Sequence, residues 1–168
     1  MTTSNAKLIV TDRYQLSAEE RTAMEEAIHH YDDARAASID ALKIVQEKHG
    51  WVPDGAIYAI ADVLGIPATD VEGVATFYNL IFRQPVGRHV ITVCDSIGCF
   101  LTGSDNLIDG IRQHLSIELG QTTADGRFTL LPICCLGNCD KGPTLMIGKD
   151  THGPVTVGDI PSLLERYA

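Results

Sequence analysis

The sequence predicts an α+β protein, with a bundle of helices in its N-terminal half and an α/β domain in its C-terminal half. Residues 17–82 repeat apolar side chains at helical spacing. The stretch "RQPVGRH" interrupts this pattern with a proline and a glycine, and β-branched runs of strand length follow it. We therefore expect an N-terminal extension over residues 1–16, a helical bundle over 17–82 and an α/β domain over 86–168.

Four helices are predicted in the bundle from their end signals. "SAEE" is a capping box, in which the Ser17 hydroxyl accepts from an early backbone N–H and Glu20 reaches back. A second helix is expected over about residues 36–49, where Gly50 is placed to end it in a left-handed cap. A third helix stops at Gly65, and a short fourth follows. The residues expected on the inner faces are Met24, Ile28 and Tyr31, then Ile57, Ile60, Ala61 and Leu64, and finally Val71, Val74, Ala75 and Tyr78.

The α/β domain is expected to contain four strands and two helices. The strand candidates are "HVITVC", "RFTLLPIC", "TLMIG" and "VTVG". The last helix, "IPSLLERYA", has Asp159 near its N-cap position and Pro161 close to its first turn. A helix of roughly four turns between the first two strands predicts a right-handed crossover between parallel neighbours. The apolar residues of this crossover helix are Leu107, Ile108, Ile111, Leu115 and Leu119.

Composition and charge exclude several classes of protein. The formal net charge of −9 over 168 residues argues against nucleic acid or an anionic lipid surface as a partner. No apolar run reaches the roughly 18–20 residues of a membrane span, and the N-terminus lacks the apolar core of a signal peptide. We therefore expect a cytoplasmic protein without direct membrane contact. In that compartment, clustered cysteines bind a metal or act in catalysis more often than they form disulfides.

Five cysteines fall in two clusters, each at the end of a predicted strand. Cys94 and Cys99 lie in "VCDSIGCF", and Cys134, Cys135 and Cys139 lie in "ICCLGNC". Because the loops that follow neighbouring parallel strands meet at one end of a sheet, we expect the two clusters to come together. The spacing leaves open whether Cys134 or Cys135 acts with Cys139, but adjacent strand residues point to opposite faces and should not both reach one site.

A 2Fe–2S cluster is the chemistry that these spacings favour. It needs two thiolates on each iron from loops whose backbone approaches closely, and Gly98, Gly137 and Gly142 lie beside the cysteines. A structural zinc site is the main alternative, with C-x4-C at the wide edge of the zinc spacings. The sequence has no thioredoxin-type C-x-x-C pair. A nucleophilic cysteine would need a histidine such as His89 or His114, which nothing else in the sequence specifies.

The pattern resembles the thioredoxin-like 2Fe–2S ferredoxin component of bacterial respiratory NADH:quinone oxidoreductase (complex I), known as its 24 kDa-type subunit. The resemblance rests on C-x4-C and C-x3-C in "CLGNCDKGP", with matching flanks such as "VEGVATFYNLIFRQPVGRHVI" and "GQTTADGRFTLLP", and it covers almost the whole chain. It implies a thioredoxin-like fold for residues 86–168 and leaves Cys134 as a small buried side chain beside the site. The iron ligands that it implies are Cys94, Cys99, Cys135 and Cys139.

The resemblance also implies a function. The chain would carry one 2Fe–2S cluster that exchanges electrons with FMN on the NADH-binding flavoprotein subunit, in a peripheral arm at the cytoplasmic face of the bacterial inner membrane. The lack of a G-x-G-x-x-G fingerprint agrees with a carrier that has no NADH site of its own. The apolar stretch "ATFYNLIF" is expected either to dock on that subunit or to pack between the two halves. The alternatives are the equivalent subunit of an NAD-linked hydrogenase or formate dehydrogenase, and a zinc-stabilised interaction module.

Overall fold

The computed structural model describes residues 14–167. Residues 1–13 and Ala168 lie outside the described part, and with them most of the predicted N-terminal extension. The chain divides between Pro85 and Val86 into two compact units, a helical unit and a sheet unit. Within residues 14–167, no helix is both long and apolar enough to cross a membrane.

The helical unit contains four α-helices within residues 14–85. They are α1 over Ala18–Ile28, α2 over Ser38–His49, α3 over Asp54–Leu64 and α4 over Ala68–Phe77. Four helices were predicted, so this part of the fold class is confirmed.

Local end signals determine where these helices begin and end. Ser17 and Glu20 form the predicted capping box at the start of α1. Gly50 and Gly65 end α2 and α3 with φ of +79° and +65°, a conformation that glycine adopts without steric cost. α2 begins slightly later than predicted because Ala34–Ala37 form a 3-10 turn ahead of it.

Apolar side chains at helical spacing fill the core of this unit. Two of the predicted inner-face residues are exposed, and their prediction is wrong. Tyr31 lies beyond the end of α1 and donates to Asp40, while Tyr78 follows α4 with an extended backbone. The largest fully buried side chains of the unit are Met24, Leu42, Val45, Val52, Ile60 and Val71.

The sheet unit contains four strands and three α-helices within residues 86–167. They are β1 over His89–Cys94, α5 over Ile97–Leu101, α6 over Ser104–Leu115, β2 over Phe128–Ile133, β3 over Leu145–Ile147, β4 over Asp150–His152 and α7 over Ile160–Glu165. The strand order is β2-β1-β3-β4, with β1 parallel to β2 and antiparallel to β3. The predicted parallel pair is therefore confirmed, and β1 lies inside the sheet.

The fourth predicted strand, "VTVG", is wrong. Thr156 and Asp159 form a capping box at this point, so Val157–Asp159 is a 3-10 turn that leads into α7. The fourth strand is instead Asp150–His152, which pairs with β3 across a two-residue turn that begins at Gly148.

The helices of the sheet unit differ from prediction in two places. Ser116 (φ +54°) ends α6 in a left-handed conformation, so Leu119 lies beyond the helix and is exposed instead of buried. The short helix α5, which was not predicted, lies within the first cysteine cluster.

Candidate metal centre

The two cysteine clusters meet at one end of the sheet, as predicted. β1 and β2 run in register from His89 opposite Phe128 to Cys94 opposite Ile133. The pairing extends one step further, because the Asp95 N–H donates to the Ile133 carbonyl at 3.1 Å. Both strands therefore lead into their cysteine loops at the same level of the sheet.

The loop that follows β1, called the first loop, holds Cys94 and Cys99 and buries both. Cys94 is 1% exposed and Cys99 is 2% exposed. α5 directs Cys99 inward, and the Thr102 hydroxyl stabilises the end of this helix by donating to the Cys99 carbonyl at 3.0 Å. The remaining large side chains of α5 are apolar and exposed, namely Ile97, Phe100 and Leu101.

The loop between β2 and β3, called the second loop, presents its cysteines at the surface. Cys135 and Cys139 are both exposed, and their sulfur atoms lie 3.9 Å apart. Gly137 has φ of +74° and donates its backbone N–H to the Cys135 sulfur at 3.3 Å. The loop therefore turns tightly enough to pair two thiols and to direct a backbone donor at one of them.

Electrostatic interactions link the two thiol pairs. Burial raises the pKa of Cys99, and the Cys94 thiol raises it further, while the backbone N–H of Thr144 donates to Cys99 and acts in the opposite direction. The pKa of Cys139 is raised chiefly by its hydrogen bond with Cys135 and then by the charge of that thiolate. Cys94 also acts on Cys139. Thiolates this close repel one another, and a bound metal cation would offset that repulsion.

Cys134 differs from the other four cysteines. Its side chain is exposed, so the predicted burial of this residue is wrong. β2 ends at Ile133, so Cys134 and Cys135 both lie in the loop that follows the strand. The Cys134 carbonyl oxygen, in contrast, faces the Cys94 sulfur at 3.7 Å. Cys134 therefore contributes its backbone to the site.

The arrangement of the thiols fits a 2Fe–2S cluster. Each iron of such a cluster takes two thiolates, and the four thiols lie two on each loop, the first two buried and the second two 3.9 Å apart. A tetrahedral zinc site would instead bring four ligands around one point. Within residues 14–167, no three or more His, Cys, Asp or Glu side chains lie close enough together to hold one metal ion.

The histidines considered for a nucleophilic cysteine lie elsewhere. His89 opens β1, at the far end of the strand from Cys94, and its ring contacts those of Phe128 and Tyr167. His114 is exposed near the end of α6. This placement gives no support to a cysteine–histidine pair.

Sequence reasoning missed the polar residues that hold the second loop. The buried Thr144 hydroxyl donates to the Lys141 carbonyl at 2.8 Å, and the Asn138 amide donates to the Thr144 hydroxyl at 3.3 Å. Threonine and asparagine have no ligand signature, so the sequence offered only their closeness to Cys139 as a signal.

Proteins with similar sequences match this chain over nearly its whole length. It is 64% identical over 164 residues to the E subunit of NADH-quinone oxidoreductase from Pseudomonas aeruginosa, and the match covers 98% of this chain and 99% of that protein. It is 67% identical over 157 residues to the protein of the same name from Salmonella typhimurium, and this match covers 94% of this chain and 95% of that protein.

A solved structure shares the fold at low sequence identity. The crystal structure of an NAD+-reducing [NiFe]-hydrogenase in the H2-reduced state matches 75% of this chain with a TM-score of 0.63 and 22% identity. This chain spans only 22% of that hydrogenase chain. The family model described as thioredoxin-like [2Fe-2S] ferredoxin matches residues 24–168. The chain therefore belongs to the thioredoxin-like [2Fe-2S] ferredoxin family.

Proposed function

We propose that this chain is the electron-carrying 24 kDa-type subunit of an NADH:quinone oxidoreductase (complex I), and that its 2Fe–2S cluster is bound by Cys94, Cys99, Cys135 and Cys139. When bound, such a cluster accepts and releases one electron at a time. The residues of this chain hold the cluster and bury one side of it. The oxidoreductase activity belongs to the assembled complex, and this chain supplies neither the NADH site nor the quinone site.

The pairing of the thiols is the observation that supports this ligand set most directly. Cys94 and Cys99 are both buried on the first loop, and Cys135 and Cys139 lie 3.9 Å apart on the second. The strand register brings the two loops to one end of the sheet. Cys134 is exposed and adjoins a cysteine that is already paired, which supports its exclusion from the ligand set.

The asymmetric burial of the site supports electron exchange at the surface. The first pair is buried and the second is exposed, so a partner reaches the cluster from the side of the second loop. The apolar side chains of Ile97, Phe100 and Leu101 lie exposed on α5 next to the buried Cys99. Exposed apolar clusters of this kind mark contact surfaces. We propose that the partner is the NADH-binding flavoprotein subunit and that the electron donor is its FMN.

The helical unit offers a second contact surface, and we propose that residues 17–82 serve in docking while residues 86–168 hold the cluster. Phe77 is 77% exposed, and Tyr78 and Leu80 next to it are exposed as well. The Gln46 amide holds this segment in place, donating to the Leu80 carbonyl at 2.8 Å and accepting the Phe82 N–H at 2.6 Å. A fixed segment that presents aromatic side chains loses little conformational entropy on binding.

The alternatives are less well supported. The NAD+-reducing hydrogenase shares the fold at 22% identity, whereas the oxidoreductase subunits share 64% and 67% identity across nearly their full length. A zinc-stabilised module conflicts with membership of a 2Fe–2S ferredoxin family. We propose the peripheral arm at the cytoplasmic face of the bacterial inner membrane as the location of the chain.

Purification without oxygen followed by metal and sulfide analysis tests the cluster. We expect about two irons and two acid-labile sulfides per chain, the ratio that defines a 2Fe–2S cluster, and a one-electron EPR signal after dithionite reduction. Cys139→Ala should lose the cluster and Cys134→Ala should keep it. A Cys134→Ala protein that folds but holds no iron would contradict the ligand set, and zinc without sulfide in the folded wild type would exclude the cluster altogether.

Reduction by NADH tests the proposed partner. The chain alone should stay oxidised with NADH, because it has no site for that cofactor. Addition of the flavoprotein subunit should allow NADH to reduce the cluster, as followed by the loss of visible absorbance. Equal rates with and without that subunit would rule out the proposed electron path.

A further inference from the structure

We propose that Thr144 is a positioning residue, whose hydroxyl fixes the Cys139 loop against the Cys99 loop and so tunes the cluster's reduction potential and retention. This inference rests on the proposed 2Fe–2S site. Thr144 lies between the second cysteine loop and β3, outside the four proposed ligands.

The side chain of Thr144 contacts the second loop three times. Its hydroxyl oxygen lies 2.8 Å from the Lys141 carbonyl and 3.3 Å from the Asn138 carbonyl, and it accepts from the Asn138 amide at 3.3 Å. These two residues flank the loop segment that contains Cys139. A single hydroxyl therefore ties both sides of this ligand position to the sheet.

The backbone of Thr144 contacts the first loop. Its carbonyl accepts the Cys94 N–H at 3.0 Å, where β1 ends and the first loop begins. The same residue therefore holds one loop by its side chain and the other by its main chain. A change in the side chain should therefore shift the two thiol pairs relative to each other, while the backbone bond to Cys94 stays possible.

The surroundings of the hydroxyl leave it no alternative position. Thr144 is only 1% exposed. Gly153 packs against the network so closely that a methyl group there would lie 2.7 Å from the Thr144 hydroxyl and 2.9 Å from the Asn138 amide nitrogen. Because buried hydroxyls keep their hydrogen bonds, this network is a fixed spacer and not a mobile contact.

The expected effect follows from how protein groups tune metal sites. Residues that orient the ligands typically change metal retention by about 10- to 100-fold when they are lost. Backbone N–H donors to ligand sulfur favour the reduced cluster, which carries one more negative charge. In the second loop this donor is the Gly137 N–H, which lies 3.3 Å from the Cys135 sulfur. Removal of the Thr144 hydroxyl should let this N–H move away from the sulfur and make the cluster harder to reduce.

The test compares Thr144→Val with Thr144→Ser and with Thr129→Val. Valine keeps the shape and removes the hydroxyl, whereas serine keeps the hydroxyl. Thr129 is a matched control: it is 2% exposed, lies near the start of β2, and uses its hydroxyl to accept the Gly87 N–H at 2.6 Å. Loss of a buried hydroxyl should destabilise both valine variants similarly, but only Thr144→Val should alter the cluster.

Three readouts decide the outcome: the potential from dye-mediated redox titration, the EPR g-values, and the rate of cluster loss to a chelator. For Thr144→Val we expect about a tenfold lower ratio of reduced to oxidised cluster at a fixed potential, which is about 59 mV for one electron. We also expect shifted g-values and about tenfold faster cluster loss. Thr144→Ser and Thr129→Val should match the wild type. Thr144→Val values equal to those of Thr129→Val would overturn the proposal.

A Thr144→Val protein that holds no cluster still gives a decisive result. Hydrogen exchange of its apoprotein should then be faster over residues 138–142 and unchanged over β1, relative to the wild-type apoprotein. Unchanged exchange over 138–142 would overturn the proposal. A wild-type protein without iron and sulfide would instead overturn the proposed function, so the two failures are distinguishable.

Discussion

The buried carboxylate of Glu20 allows a quantitative prediction about the helical unit. It accepts from the Tyr14 hydroxyl at 2.7 Å and from the Ser17 N–H and hydroxyl at 2.8 Å, and it lies 3.4 Å from the Lys48 ammonium group. His49 approaches the same carboxylate at 3.3 Å. Glu20 thus joins the start of α1 to the end of α2.

These contacts lower the pKa of Glu20 from 4.5 to about 2. Burial alone would raise it, but the hydrogen bonds from Tyr14 and Ser17 and the charge of Lys48 outweigh burial. Since one pKa unit corresponds to about 1.4 kcal/mol, the ionised carboxylate stabilises the unit by about 3 kcal/mol at neutral pH. Because the folded-state pKa is the lower one, this stabilisation is complete above about pH 4.5 and is lost as the pH falls towards 2.

Glu20→Gln should therefore lower the free energy of unfolding by about 2–3 kcal/mol at pH 7, and the difference from wild type should vanish near pH 2. Trp51 is the single tryptophan of the chain and lies in the helical unit, so its fluorescence during urea unfolding reports on that unit. Glu25→Gln, which changes an exposed carboxylate on the same helix, is the control and should change little. If Glu20→Gln lowers the free energy of unfolding by the same amount at pH 7 and at pH 2.5, the reasoning is refuted.

Two further predictions concern the loops. Gly153→Ala should destabilise the sheet unit by about 1–3 kcal/mol and lower iron content, because the new methyl group would overlap the Lys141 carbonyl and the Thr144 hydroxyl; normal iron content and an unchanged melting temperature would contradict this. Gln46→Ala should cost the helical unit about 2 kcal/mol, since it removes two hydrogen bonds to residues 80 and 82. Hydrogen exchange at the Phe82 amide should become faster, and an unchanged rate would show that Gln46 does not hold this segment.

Features that depend on near neighbours in sequence could be predicted. The capping box of Ser17 and Glu20 and the glycine caps at Gly50 and Gly65 each depend on residues within about one helical turn. The parallel pairing of β1 and β2 followed from the crossover rule, and with it the meeting of the two cysteine loops. The choice of ligands among the five cysteines remains a prediction.

Features that depend on distant contacts could not be predicted. "VTVG" has high strand propensity, but Val157 and Ile160 pack against Gly110 on α6, where even a methyl group would lie 3.0 Å and 2.8 Å from them. Tertiary packing therefore overrides local propensity. The exposure of Cys134 and the contacts of Thr144 likewise depend on how the second loop folds against β3 and Gly153, which spacing in sequence does not reveal.

The shared register of β1 and β2 determines where the chain tolerates changes of length. One residue inserted within Phe128–Ile133 would move Cys135 by about 3.3 Å along the strand and turn the alternating side chains to the opposite face. The turn at residues 124–126 lies before β2, and in it the Gly126 N–H donates to the Thr123 carbonyl. An insertion in this turn would leave the pairing of β1 with β2 unchanged, so both cysteine loops would still begin at the same end of the sheet. We therefore expect a diverging or redesigned chain to change length at this turn at less cost than within the two strands.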